Sequence, residues 1–204
     1  MAEPRMSAWA RALSERSSLL AALNRSTLDV ELARLTEWIV DAAASGRRVL
    51  FFGNGGSAAA AQHAAAELVG RYEAERAPIA ALALTTDTSV LTAVGNDYGF
   101  DRVFERQIDG LARRGDVAVA LSTSGRSSNV LRGLRAARRC GVRTAALLGR
   151  DGGPARRLAD LALVVPAART SVIQEAHELL IHVLCEDVER HLVSRRRRRP
   201  RRRT

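Results

Sequence analysis

The chain is predicted to adopt a doubly wound α/β fold, with a mainly parallel five-stranded sheet flanked by helices and preceded by an N-terminal helical hairpin. Three observations predict it. Short apolar runs alternate with stretches of helical periodicity along most of the chain. Those runs are continuously apolar, as expected of parallel strands buried on both faces. Gly, Asp and Pro punctuate their ends.

From about Ser7 to Ser45, Leu13, Leu20 and Leu23, then Leu28, Leu32, Leu35 and Ile39, recur at helical spacing, and Asn24-Arg25-Ser26-Thr27 between them offers a cap. This is the hairpin, spanning residues 1–46. The strands follow at Val49 to Phe52, Ile79 to Leu84, Val117 to Leu121, Thr144 to Leu148 and Leu161 to Val165. Gly115-Asp116 precedes the third and Gly141 the fourth, and Gly149 to Pro154 follows the fourth. A helix-like stretch runs from Thr88 to Val94, and another starts near Asn129. After Pro166, residues from about Ser171 to Val193 carry Ile173, Leu180, Leu184, Val188 and Leu192 on one helical face, a long closing helix. The sheet and its helices occupy residues 47–193.

A length of 204 residues suits one domain with helical additions. Hydrophobic residues make up 47% and aromatics only 4%, so Ala, Leu and Val must build the core. Met1 to Arg5 lacks the apolar stretch of a secretory signal, and no apolar run approaches membrane-spanning length, so a cytoplasmic protein with no membrane partner is expected. Cys140 and Cys185 show no C-x-x-C spacing and read as two buried free thiols.

The net charge of +10 is concentrated at one end. Eight arginines lie in the last ten residues, which leaves +2 for everything before them. Residues 194–204 are expected to form a disordered Arg-rich tail, and this tail is where any nucleic-acid contact would arise. All 32 basic residues are arginine. A Schiff-base lysine and a P-loop lysine are therefore both excluded.

Ligands of open α/β sheets bind beyond the carboxyl ends of the strands. After the third strand, Ser122-Thr123-Ser124-Gly125-Arg126-Ser127-Ser128 brings hydroxyls and backbone N–H groups to a helix start, a setting for a phosphate without lysine. After the first strand, Gly53-Asn54-Gly55-Gly56-Ser57 lacks the dinucleotide spacing; its glycines admit a ligand and Asn54 and Ser57 offer polar groups for sugar hydroxyls. His63 and Glu67 follow four residues apart on one helix face. On the closing helix, Gln174 and His182 lie about 80° apart around the axis. His63, Glu67, Gln174 and His182 together supply nitrogen and oxygen ligands suited to Zn²⁺ or a similar ion, with His177 and Glu178 as bystanders or outer partners. Gly95-Asn96-Asp97 places a carboxamide and a carboxylate in an expected turn.

The segments GNGGS (Gly53 to Ser57), AQHAAAELVGRY (Ala61 to Tyr72), VGNDYGF (Val94 to Phe100), STSGRS (Ser122 to Ser127) and IQEAHELLIH (Ile173 to His182) occur in order. Together they resemble the sugar-isomerase (SIS) domain, and within it the phosphoheptose (sedoheptulose 7-phosphate) isomerases, over roughly Leu28 to Leu192. The resemblance implies an aldose–ketose isomerase acting on a phosphorylated seven-carbon sugar at the start of nucleotide-heptose synthesis. It implies Ser122, Thr123, Ser124 and Ser127 on the phosphate, and Asn54, Gly55, Gly56, Ser57, Asn96, Asp97, Glu67 and Gln174 in contact with the sugar. It further implies one Zn²⁺ per subunit on His63, Glu67, Gln174 and His182, acid–base roles for Glu67 and His182, and a homotetramer with sites at subunit interfaces. The alternative is a non-catalytic sugar-phosphate sensor or replication-initiator-associating protein; that branch lacks the acidic residue and the final histidine, and this chain has both. Val172 stands where relatives often carry an arginine before Ile-Gln-Glu.

Overall fold

The computed structural model describes residues 6–198. Five parallel strands, β1 (Val49–Gly53), β2 (Ala81–Ala83), β3 (Val117–Ser122), β4 (Arg143–Gly149) and β5 (Leu161–Val165), form one sheet in the order β2-β1-β3-β4-β5. The expected doubly wound architecture is present. The strand order reverses between β1 and β3, so their carboxyl ends lie side by side.

Alternation along each strand divides the core in two. Val49 and Phe51 of β1, with Val117, Val119 and Leu121 of β3, face α2 (Leu28–Ala44), α3 (Gly56–Val69) and α8 (Thr170–Arg198). Leu50 and Phe52, with Ala118 and Ala120, face α5 (Val103–Leu111) and α6 (Ser128–Arg139). The small alanines let α6 come close. At Gly133 a Cβ would stand 2.8 Å from the Phe52 ring, which itself packs on Phe104 at 5.3 Å between centroids. Of the remaining helices, α4 (Thr88–Tyr98) buries no residue and α7 (Ala155–Leu158) is a single turn.

The N-terminal helices are α1 (Ala8–Leu23) and α2, joined through Asn24 to Thr27. Ser7 caps α1 by accepting from the Ala10 N–H at 3.1 Å. α1 leans toward α8: Arg16 makes a bidentate pair with Glu175 at 2.7 and 2.5 Å, and Arg169 reaches Glu15 at 2.7 Å. Trp9, Leu13 and Leu20 stay exposed along one stripe, with Leu20 at the groove beside α8.

Two expectations need correction here. Ser194 to Arg198, expected in a disordered tail, continue α8 as helix. Arginine is a good helix former, and positive charge is favoured at a helix C-terminus, so the first five tail residues extend the rod. The remaining tail, Arg199 to Thr204, lies outside the described residues. Both cysteines are free, but only Cys185 is buried; Cys140, at the end of α6, is half-buried. No described helix is long and apolar enough to cross a membrane.

Candidate active site

Two loops meet at the β1/β3 switch point, and each is shaped by glycines that leave no room for a side chain. A Cβ at Gly53 would fall 2.7 Å from the Leu121 carbonyl oxygen and 2.9 Å from the Ser57 Cβ. Gly55 turns the chain into α3 with φ at +57°, a conformation glycine adopts at no steric cost. A Cβ at Gly56 would collide with the Gln174 amide, so Gln174 of α8 lies directly on the start of α3. Ser57 is buried in the first helical turn. The Asn54 amide does not stand free: it exchanges two hydrogen bonds of 2.9 Å with Asn129, which is buried at the start of α6.

In the second loop the buried Ser122 hydroxyl accepts from the Gly125 N–H at 3.0 Å, and the Ser124 hydroxyl accepts from the Arg126 N–H at 3.2 Å. Ser127 stands at the N-cap of α6 without spending its side chain on a capping bond. Thr123 is half-buried between them. Gly125, with φ at +61°, packs backbone to backbone against Gly152, and the Ala155 N–H donates to its carbonyl at 3.1 Å. Beside this loop Arg126, Arg135, Arg156 and Arg157 line a cavity that contains one carboxylate, Asp151, paired to Arg126 at 2.5 Å. Four guanidiniums against one carboxylate leave this side of the loop net positive.

The titratable cluster lies between α3 and α8. His63 Nδ1 is 2.8 Å from Glu178 Oε2, and its Nε2 is 3.2 Å from Glu67 Oε1. The His182 ring meets the His63 ring edge-on at 5.1 Å between centroids and stacks on Tyr72 at 5.6 Å. The hydrogen bond to Glu178 raises the His63 pKa, burial opposes it, and Glu67 adds to the rise. Both ring nitrogens thus face carboxylate oxygens, which favour the protonated ring. One ligand atom from each of His63, Glu178 and His182 lies within 4.8 Å of the others. Two imidazoles and the Glu178 carboxylate around one point suit a divalent cation, while Glu67 meets the other ring nitrogen of His63.

The structure thus brings together His63, Glu67 and His182 as expected, and adds Glu178. Glu178, expected as a bystander or an outer partner, touches His63 directly because it lies one turn before His182 on the same face of α8. His177 is no outer partner of the cluster. It is buried, its Nε2–H donates to the Leu148 carbonyl at 3.2 Å, and burial lowers its pKa to about 4, so it pins α8 to the sheet as a neutral ring. Asn96 and Asp97 are also placed differently: they occupy the exposed last turn of α4 rather than a turn after it, and Asn96 donates to Asp97 at 2.8 Å. Val172 is buried and faces α1, where an arginine could not be accommodated without charge compensation.

The SIS domain profile matches residues 14–149. The phosphoheptose isomerase of Geobacter sulfurreducens is 55% identical over 174 residues, covering 85% of this chain and 92% of that protein. This chain is a phosphoheptose isomerase family member. Solved phosphoheptose isomerases agree in fold: that of Neisseria gonorrhoeae gives a TM-score of 0.84 at 42% identity over 89% of this chain and 97% of that one. The Francisella tularensis enzyme gives 0.84 at 33% identity over 91% and 100%. In this phosphoheptose isomerase, sequence reading missed Asn129 and Tyr72. Asn129 sits in an Ser-Ser-Asn run that looks like any helix start, and its partner is 75 positions away.

Proposed function

We propose that the protein converts D-sedoheptulose 7-phosphate to D-glycero-D-manno-heptose 7-phosphate, the first step toward a nucleotide-activated heptose. The observation that carries this reading is the convergence of Glu67 and His182 on His63 between α3 and α8, in a chain that also carries a lysine-free hydroxyl loop at the switch point and is so similar to phosphoheptose isomerases. The Ser122–Ser127 loop holds the phosphate through the hydroxyls of Thr123, Ser124 and Ser127 and its N–H groups, with Ser122 bracing the turn. The sugar chain then extends toward Gly55, Gly56 and Gln174, with Asn96 and Asp97 approaching from α4.

The reaction moves one proton from C1 to C2. Glu67 takes the C1 proton, the C1–H electron pair becomes the C1=C2 bond, and the C2 carbonyl oxygen receives a proton from His182 to give the enediol. Return of a proton to C2 and loss of the O1 proton complete the aldose. Each group contributes on the order of 10²-fold to 10⁴-fold. His63, Glu67, Gln174 and His182, with Glu178 adjoining, would hold one Zn²⁺ per subunit; when bound it would stabilise negative charge on the substrate oxygens.

A homotetramer accords with the exposed Trp9, Leu13 and Leu20 on α1, an apolar face of the kind that subunits cover. Two free thiols and a phosphorylated substrate accord with the cytoplasm. Incubation of the pure protein with sedoheptulose 7-phosphate, with and without a chelator, tests the reading. Aldose should form; its absence from fully metallated protein would overturn the assignment.

A further inference from the structure

Glu189 lies seven residues after His182 on α8, two turns along the same face, and is 2% exposed. Its carboxylate accepts from three consecutive backbone N–H groups: Tyr72 at 2.8 Å, Glu73 at 3.0 Å and Ala74 at 2.6 Å. Buried Arg76 approaches the same carboxylate at 3.1 Å. The Arg76 guanidinium also donates to the Glu67 carbonyl at 2.7 Å and the Leu68 carbonyl at 2.8 Å, satisfying orphan acceptors at the end of α3. One buried ion pair therefore ties the end of the helix carrying His63 and Glu67 to the helix carrying His182. It also fixes the backbone of Tyr72, whose ring lies on His182 at 27° between planes.

We propose that Glu189 is a positioning residue for the isomerisation: by anchoring Tyr72 it holds the Tyr72 ring as a wall that sets the orientation of the His182 imidazole. This rests on the role given to His182 above. A three-point anchor is more than a surface loop needs. The loop is joined to the end of α3 through Gly70, and although the Tyr72 side chain also packs on the core, its backbone is fixed by this anchor. The stacking geometry, rather than the phenol hydroxyl, is what His182 requires.

Three variants test this: Glu189→Gln, Tyr72→Leu and Tyr72→Phe, in the full chain. The first readout is the His182 ring C–H resonance, assigned with His182→Gln among four histidines. In Glu189→Gln, where the Tyr72 ring remains, that resonance should move or broaden as the ring leaves its place. The second is the split between kcat and KM for sedoheptulose 7-phosphate. Tyr72→Leu should lower kcat by roughly 10-fold to 100-fold with KM little changed, and Tyr72→Phe should restore the rate. An unmoved His182 resonance in folded Glu189→Gln, or a Tyr72→Leu enzyme with kcat within about twofold of the parent, would overturn the proposal. Equal losses in Tyr72→Leu and Tyr72→Phe would overturn the stacking role. Should Glu189→Gln not fold, the two Tyr72 variants decide. Should the parent protein leave the sugar untouched, the functional reading fails, while the resonance still judges the positioning.

Discussion

Asn54 and Asn129, 75 residues apart, exchange a reciprocal pair of amide hydrogen bonds, each 2.9 Å, that joins the loop after β1 to the loop after β3. Asn129 also accepts from the Val130 N–H at 2.9 Å and is buried, so its truncation orphans the Asn54 amide. Asn129→Ala should cost about 2 kcal/mol or more in stability by urea denaturation. It should also raise KM, because the loops proposed to hold sugar and phosphate lose their mutual brace.

The acid–base pair carries the sharpest expectation. Glu67→Gln and His182→Gln should each lower kcat by roughly 10²-fold to 10⁴-fold while the protein stays folded by circular dichroism. Full turnover in either variant would remove that residue from the mechanism.

The hydroxyl loop depends on a glycine for two separate reasons. Gly125→Ala must accommodate φ at +61° and a Cβ directed into the Gly152 backbone oxygen, and backbone cannot swing away as a side chain tip would. Titration with inorganic phosphate should show affinity weakened by roughly tenfold or more, about 1.4 kcal/mol.

Acid stability follows from Glu189. Burial opposes ionisation of its carboxyl, but the N–H groups of Ala74, Glu73 and Tyr72, with Arg76, outweigh it and hold its pKa below the usual carboxylate range. A folded-state pKa below the unfolded one gives stability that is present above the unfolded value of about 4.3 and is lost as pH falls through the folded value. The unfolding free energy should therefore decline on acidification below about pH 4.3, and Glu189→Gln should flatten that decline.

The two thiols should differ in reactivity. Burial pushes Cys185 up to about 12, which leaves little thiolate at neutral pH, whereas Cys140 is half-buried at the end of α6. A colorimetric thiol reagent should label Cys140 first, and Cys140→Ser should abolish the fast phase.

Much of this architecture was legible in the chain itself, for reasons that are local. Val49 to Phe52 and Leu161 to Val165 are continuous apolar runs, and the sheet uses them as such. The second strand is shorter than its apolar run, Ala81–Ala83, because Ile79 already turns its N–H to the Leu68 carbonyl of α3, while Ala80 and Leu84 still bond to β1 at its margins. His63 and Glu67 were visible through helical spacing, which is fixed by 3.6 residues per turn. The contacts of Asn129 and Tyr72 were not, and Glu178 was visible only as a bystander or outer partner, because their partners lie across the fold, at Asn54, His182 and His63. Asn96 and Asp97 look like a turn by composition, yet α4 runs on to Tyr98.

The order of elements along α8 has a consequence for biosynthesis. All five strands, both ligand loops, His63 and Glu67 precede Thr170, whereas Glu178, His182 and Glu189 come only with α8, the last helix of the described chain. A nascent polypeptide halted before α8 holds only half of its titratable cluster and lacks Ile173, Ile181, Leu184 and Val188, which complete one side of the core. On the proposed mechanism a product of interrupted translation lacks His182, the group that would protonate the substrate oxygen, and should leave the sugar unchanged.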